Sequence, residues 1–254
     1  MTKKILIVGG LGYLGSAITH KLLLENSYEL YVLEILSKLE TSNEAVSRLS
    51  KKVKILYQKD ERFFDFSDDQ QGEVNLGGVD TVIFAVRSRN PKEDTSPPRS
   101  SLNPGNLLNQ IENVILNQLK VLSSLGFDQQ THIDRNVIQL FSSNANSISH
   151  QPMEYHALNA LAEKVFTYLA VDLQKYSVRV FLIEIGVILN EISYSNNGIL
   201  DSSPDELAEL IKFLINSEGY GLVGNPLKLT GIRNLLDATS VAEGVFGDLR
   251  VRKT

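Results

Sequence analysis

The residues best suited to chemistry stand near the start, in the turn Gly9-Gly10-Leu11-Gly12-Tyr13-Leu14-Gly15. An apolar run, Ile5-Leu6-Ile7-Val8, leads into it, and a helical pattern with Ile18, Leu22 and Leu23 on one face follows. A strand, a glycine turn and a helix form the first half of a dinucleotide-binding unit. Glycines let the backbone approach a pyrophosphate closely, and the helix N-terminus offers that anion free N–H groups and a partial positive charge. The spacing is Gly9-x-x-Gly12-x-x-Gly15. A second group fits the same ligand. Glu34 ends the run Leu30-Tyr31-Val32-Leu33 about 20 residues past the last glycine, where a carboxylate bonds the adenosine ribose hydroxyls. It also repels a 2′-phosphate, so NAD is expected over NADP. The glycines also read as a tight structural turn without a ligand, and Glu34 taken singly reads better as a solvated strand end.

Val8 to Gly15 followed by Val32-Leu33-Glu34-Ile35-Leu36-Ser37 resembles the short-chain dehydrogenase/reductase superfamily, and most of all its extended, epimerase-type branch. That branch usually has Thr at the place of Val8 and Asp at the place of Glu34. The resemblance implies a Ser-Tyr-Lys centre. There the tyrosine exchanges a proton with the substrate oxygen, and the serine hydrogen-bonds that oxygen. The lysine, one turn after the tyrosine, binds the nicotinamide ribose and lowers the tyrosine pKa. Ser142-Ser143 and Tyr155 match, Ser142 being the first choice because it precedes Tyr155 by 13 residues, a spacing of the compact branch. Glu163 supports the alignment. Asn159 stands where the lysine belongs. Its amide can still bond ribose hydroxyls, but it brings no charge to Tyr155. Lys164 is about half a turn out of phase with Tyr155. By the same resemblance Asn113, in Glu112-Asn113-Val114, holds a structural water, and Asp60 contacts the adenine; a surface Asn and a solvated Asp are the plainer readings. Ala85 and Val86 end a run similar to the family's Asp-x-Val-x-x-x-Ala, which passes under the cofactor. With Tyr13, Leu14 and Gly186 they complete the expected cofactor-binding set.

These residues need a scaffold. Strand and helix patterns alternate along the chain, which predicts an α/β fold: a Rossmann-type doubly wound parallel sheet of about seven strands in a single domain, residues 1–254. Strands are expected at Val53–Tyr57, Val79–Val86, Val137–Phe141, Val178–Ile185 and Leu222–Gly231, the last at an edge. Helices are expected at Glu44–Ser50, Leu107–Leu125, Pro152–Tyr176 and Asp205–Asn216, with Ser203-Pro204-Asp205-Glu206 as the start signal of the last. The loop Arg87–Gly105 carries Arg87, Arg89, Lys92 and Arg99 at the end of a strand. It reads as a holder of an anionic substrate group or as a solvated surface loop. A small substrate region is expected at about 187–204 and 222–235, without the larger C-terminal domain usual in the extended branch.

Composition narrows the class. Of 254 residues, 43% are hydrophobic and 22% charged, enough for one full α/β core. A net charge of −5 argues against nucleic acid or an anionic membrane as the main partner. There is no cysteine, which removes disulfides, thiol nucleophiles and cysteine-ligated metals. The histidines at 20, 132, 150 and 156 have no metal-ligand spacing, so no metal is expected. No apolar run is long enough to span a bilayer, and a cytoplasmic location is expected. The long helices Leu107–Leu125 and Pro152–Tyr176 resemble the pair that makes a four-helix interface in the family, which implies a homodimer or homotetramer. Two functions follow: an atypical NAD-dependent oxidoreductase or epimerase-type enzyme acting on a carbonyl or hydroxyl of a small molecule, or an NAD-binding redox sensor or partner subunit that does not turn over.

Overall fold

The computed structural model describes residues 2–35, 53–58, 76–86, 105, 107–108, 111–142, 153–185, 203–217 and 227–229. Its strands are β1 (Lys3–Val8), β2 (Tyr28–Ile35), β3 (Lys54–Gln58), β4 (Thr81–Phe84), β5 (Arg135–Ser142), β6 (Val178–Ile185) and β7 (Leu227–Leu229). The helices are α1 (Tyr13–Leu23), α2 (Asn117–Ser124), α3 (Met153–Gln174) and α4 (Pro204–Asn216), and a π-helical segment, Ile111–Leu116, runs into α2. The strands form one sheet in the order β3-β2-β1-β4-β5-β6-β7, and every neighbouring pair is parallel. The expected doubly wound α/β sheet of seven strands is therefore present, with β7 at an edge. The order reverses between β1 and β4, so a crevice opens there at the carboxyl ends, where open α/β sheets bind ligands.

Strand alternation divides the core into two layers. Ile5, Ile7, Val32 and Ile183 point to the layer that also holds Ile18 of α1 and Ile211 of α4. Leu6, Val8, Leu33 and Leu182 point to the other, with Val121 of α2 and Phe166 of α3. Both layers are buried, which is why these strands read as continuous apolar runs. Phe166 meets Phe84 edge to face, with ring centroids 5.9 Å apart, and so seats α3 on the sheet. Such a pair is worth about 1 kcal/mol beyond its burial. A third, smaller contact of Ile115, Leu158 and Ala162 joins the π segment to α3.

Helix α4 begins as its sequence signal predicts. The Ser203 hydroxyl accepts from Glu206 N–H at 3.2 Å, Glu206 Oε2 accepts from Ser203 N–H at 2.7 Å, and Pro204 occupies the first turn. Ion pairs Lys21–Glu209 and Lys212–Glu25 bind α4 to α1 and the residues after it. The amino edge of the sheet is held by cations. Lys3 Nζ donates to Ile215 O at 2.7 Å, and Arg179 donates to Ser217 O, both carbonyls at the C-terminus of α4. Arg135, 5% exposed, donates to Gly126 O and Gln129 O at 2.7 Å each. Its burial lowers the guanidinium pKa from its ordinary value.

One element departs from expectation. The stretch expected as a single helix over Leu107–Leu125 is α-helical at Leu107 and Leu108, π-helical from Ile111 to Leu116 and α-helical again from Asn117. The wider turn lets Ile115, Asn117 and Gln118, three positions within four residues, all be buried. The expected helix at 44–50 lies outside the described residues, as do the loop 87–104 and most of the expected substrate region. No described helix is long and apolar enough to cross a membrane.

Candidate active site

The glycine turn is built by contacts that leave no room for side chains. Gly9 has φ +81°, a left-handed conformation that favours glycine, and a Cβ on it would lie 3.2 Å from Ala85 C and from Val86 Cγ2. The turn after β1 thus presses against the chain leaving β4. A Cβ on Gly10 would stand 2.8 Å from both Val32 methyls, and one on Gly15 would fall onto Gly9 O and 2.8 Å from Gly10 Cα. Gly12 N–H donates to Gly9 O at 3.0 Å, and Ser16 N–H donates to Gly12 O at 2.8 Å, so the turn closes directly into α1. Thr19, buried in α1, donates its hydroxyl to Gly15 O at 2.7 Å, with Gly10 O 3.2 Å away. Gly12 caps the helix in an extended conformation without a side-chain cap, and the first turn carries no acidic residue. Nothing in that first turn opposes an anion. Leu14 packs on the core, while Tyr13, beside it, is 55% exposed at the mouth of the turn.

Glu34, the next-to-last residue of β2, is buried, and its Oε2 accepts from Leu11 N–H at 3.2 Å. The carboxylate therefore stands beside the glycine turn, as the spacing requires. Its contact with Leu11 is one that spacing does not reveal: the acid also fixes the shape of the turn. Gly9 N–H bonds to Leu33 O and Ala85 N–H to Val8 O, both at 2.9 Å, so Ala85 and Val86 flank the crevice opposite α1. The fit to a dinucleotide is good. A backbone cradle that Cβ atoms would fill, an open helix N-terminus and one carboxylate are grouped at the switch point.

The residues expected to handle the proton fall at the same edge. Ser142 is the last residue of β5, in register with Ile185, the last of β6. Tyr155 is the third residue of α3, and Asn159 follows one turn later, half-buried on the strip that includes Phe166. Lys164 does not replace the missing lysine: its side chain is 71% exposed. His156 is half-buried next to Tyr155. Asn113 lies in the π segment. The side chains of Asn113, Ser142 and Tyr155 fall outside what is described, as do Ser143, His150, Asp60 and Gly186 altogether. Among the described residues no group of three or more His, Cys, Asp or Glu could hold a metal.

No protein-family model matches the chain, and no curated protein matches it. Solved structures do. A dehydrogenase/reductase from Sinorhizobium meliloti 1021 superimposes with a TM-score of 0.69 at 17% identity, over 89% of this chain and 93% of that one. A 3-oxoacyl-[acyl-carrier protein] reductase with bound NAD from Brucella melitensis gives 0.68 at 17% identity, over 89% of each chain. A blue fluorescent protein from a metagenomic library, in complex with NADPH, gives 0.67 at 16% identity, over 90% of this chain and 96% of that one. The chain shares the α/β Rossmann-like fold of these structures. On that fold, polar groups stand out whose burial the sequence did not reveal. Glu163 on α3 and Glu184 on β6 are 8% and 6% exposed. Gln118 is 2% exposed, and neither atom of its amide has a hydrogen-bond partner. For Glu184 a signal existed: it is a lone carboxylate in the otherwise apolar end of its strand.

Proposed function

We propose that the protein is an atypical NAD-dependent oxidoreductase of the short-chain dehydrogenase/reductase superfamily, acting on a carbonyl or hydroxyl group of a small molecule. The observation that carries this reading is the glycine turn clamped against β4, with Glu34 bonded to Leu11 N–H at the switch point. NAD, when bound, supplies or takes the hydride. The first turn of α1 holds the pyrophosphate, and Glu34 accepts from the adenosine ribose and opposes a 2′-phosphate, favouring NAD over NADP. Tyr155 exchanges a proton with the substrate oxygen, Ser142 hydrogen-bonds that oxygen, and the Asn159 amide bonds ribose hydroxyls. The epimerase-type branch seen in the sequence motif remains part of the proposal for reaction type. Arginines of the loop 87–105 are the proposed holders of an anionic substrate, and a cytoplasmic location suits a cysteine-free chain.

A second reading rests on a specific observation. Position 159 bears an uncharged amide, and the nearby Lys164 points to solvent. A protein that binds NAD without turning it over, as a redox sensor or partner subunit, needs no lysine there. Titration with NADH and NADPH, followed by assay on a panel of carbonyl substrates, separates the two. The enzyme reading expects NADH to bind, turnover to be slow, and Tyr155→Phe to remove turnover by about a hundredfold or more while leaving NADH affinity intact. Binding without turnover in either protein supports the sensor. Failure to bind either nucleotide overturns both readings.

We further propose a homodimer or homotetramer through the α2–α3 face. Leu116, Leu161, Tyr168 and Val171 are exposed on the π segment and α3 at 45%, 38%, 72% and 53%. Multi-angle light scattering should give at least twice the 28.2 kDa chain mass at micromolar concentration; a monomer at high concentration removes the proposal.

A further inference from the structure

One peptide bond of the glycine turn is held from both sides. Gly9 to Gly12 form a β-turn, closed by Gly12 N–H donating to Gly9 O at 3.0 Å. Its central peptide joins Gly10 to Leu11. That peptide is trans and planar, so its C=O and N–H point in opposite directions. The N–H, on Leu11, donates to Glu34 Oε2 at 3.2 Å. The C=O, on Gly10, lies 3.2 Å from Thr19 Oγ1. The peptide therefore links the buried face of α1 to the end of β2, with a hydroxyl on one side and a carboxylate on the other.

Thr19 is unusual for its place. The buried positions of α1 are Gly15, Ile18, Thr19 and Leu22, and of these Thr19 alone carries a polar side chain, 0% exposed. Its hydroxyl proton lies between two carbonyls, Gly15 O at 2.7 Å and Gly10 O at 3.2 Å. Gly15 O depends on it less, because the helical ladder already gives that carbonyl the N–H of residue 19. Gly10 is buried in the turn, ahead of the helix. The turn is also pressed on both sides. A Cβ on Gly10 would stand 2.8 Å from the Val32 methyls and 3.2 Å from Thr19 Oγ1. The side chain at Leu11 resists a full flip of the peptide. Turned over, it would need a positive φ at Leu11, which a leucine adopts at a steric cost and does not adopt here. A tilt meets no such barrier, and the Thr19 contact restrains it.

We propose that Thr19 is a positioning residue for NAD: through the Gly10–Leu11 peptide it holds the Glu34 carboxylate toward the adenosine ribose and so sharpens the choice of NAD over NADP. The inference rests on the NAD site proposed above. Without the hydroxyl, Gly10 O is a buried acceptor that has lost this donor, and such a group draws its peptide toward water. As the peptide tilts, Leu11 N–H leaves Glu34. The carboxylate then bonds the ribose less well and can swing away from a 2′-phosphate. NADH loses a contact while NADPH loses a repulsion. A general loosening of the turn would instead weaken both alike, since both carry the same pyrophosphate.

The test is a ratio of affinities and needs no turnover. Dissociation constants for NADH and NADPH, each from its own fluorescence, are measured on the full chain, on Thr19→Val, Thr19→Ser and Glu34→Gln, and on Thr19→Val combined with Glu34→Gln. The wild type should prefer NADH. Thr19→Val keeps the shape and drops the hydroxyl; it should cut that preference about five- to tenfold, the worth of one hydrogen bond. Thr19→Ser keeps the hydroxyl and should stay within about twofold of the wild type. In the Glu34→Gln background Thr19→Val should no longer change the preference, because the carboxylate it positions is gone. Should Thr19→Val fail to fold, Thr19→Ala removes the same hydroxyl without added bulk and is held to the same outcomes. An unchanged preference in the folded variant, or a change that persists undiminished beside Glu34→Gln, overturns the inference and leaves the nucleotide site standing. A wild type that prefers NADPH overturns the role of Glu34 and the inference with it. A wild type that binds neither nucleotide overturns the site reading and the inference together.

Discussion

Gly15→Ala should cost the protein the proposed dinucleotide site, lowering NADH affinity by more than about a hundredfold and stability by roughly 3 kcal/mol. The added Cβ would fall onto Gly9 O and stand 2.8 Å from Gly10 Cα, both backbone atoms. No rotamer change relieves such a clash. The turn would have to open, and opening it strains the Gly12 N–H to Gly9 O bond of 3.0 Å and the contact of Thr19 with Gly15 O. The first-turn N–H groups of α1 would then move away from the pyrophosphate they are placed to meet. Gly78→Ala is the matched control. Gly78 also has a positive φ, +77°, but a Cβ there meets nothing within 4 Å. Only backbone strain of about 1 kcal/mol is expected, with NADH affinity unchanged. Denaturant unfolding and NADH titration on both variants decide the matter. Wild-type affinity in a folded Gly15→Ala would place the nucleotide elsewhere.

The contrast between these glycines shows which parts of the molecule the sequence discloses. A motif discloses local geometry: Gly9, Gly12 and Gly15 had to form a tight turn because strand and helix patterns lay on either side, and they do. Phase arguments also travel well. Lys164 lies out of phase with Tyr155 by counting along a helix, and its side chain is exposed. The parallel, doubly wound sheet follows from alternation of elements, but its strand order does not, because more than one order suits the same alternation. Contacts between distant segments are different. That Glu34 would bond Leu11 N–H depends on how the turn leans over β2. The π turn at Ile111–Leu116 could not be read at all, since its apolar residues fit a 3.6-residue period well enough and the wide turn is set by packing on α3. Glu163 and Glu184 were visible as letters, but their burial comes from the docking of α3 on β6. The candidate residues were therefore legible as letters, and their electrostatic setting was not.

That setting makes Asn159→Lys the most informative single change to the chemistry. Restoring an ammonium one helical turn after Tyr155 places positive charge beside the group proposed to exchange the proton. A neighbouring cation favours the ionised form of a phenol, and a shift of one to two pKa units is typical. Each unit is worth about 1.4 kcal/mol, or tenfold. Alcohol oxidation by NAD, in which Tyr155 must accept a proton, should therefore rise about ten- to a hundredfold near neutral pH. The pH at which this activity rises should move lower, because the added charge lowers the tyrosine pKa. Glu163 limits the gain. It lies four residues after position 159 on the same face of α3 and is buried, so it competes for the new ammonium. The pair Asn159→Lys with Glu163→Gln should exceed the single variant by a further severalfold, a coupling that a double-mutant cycle on kcat reads directly. Two independent, additive effects would show that Glu163 does not act on position 159. If NAD binds and neither variant turns over any substrate, Asn159 belongs to a protein built to hold the cofactor, and the sensor reading replaces the enzyme.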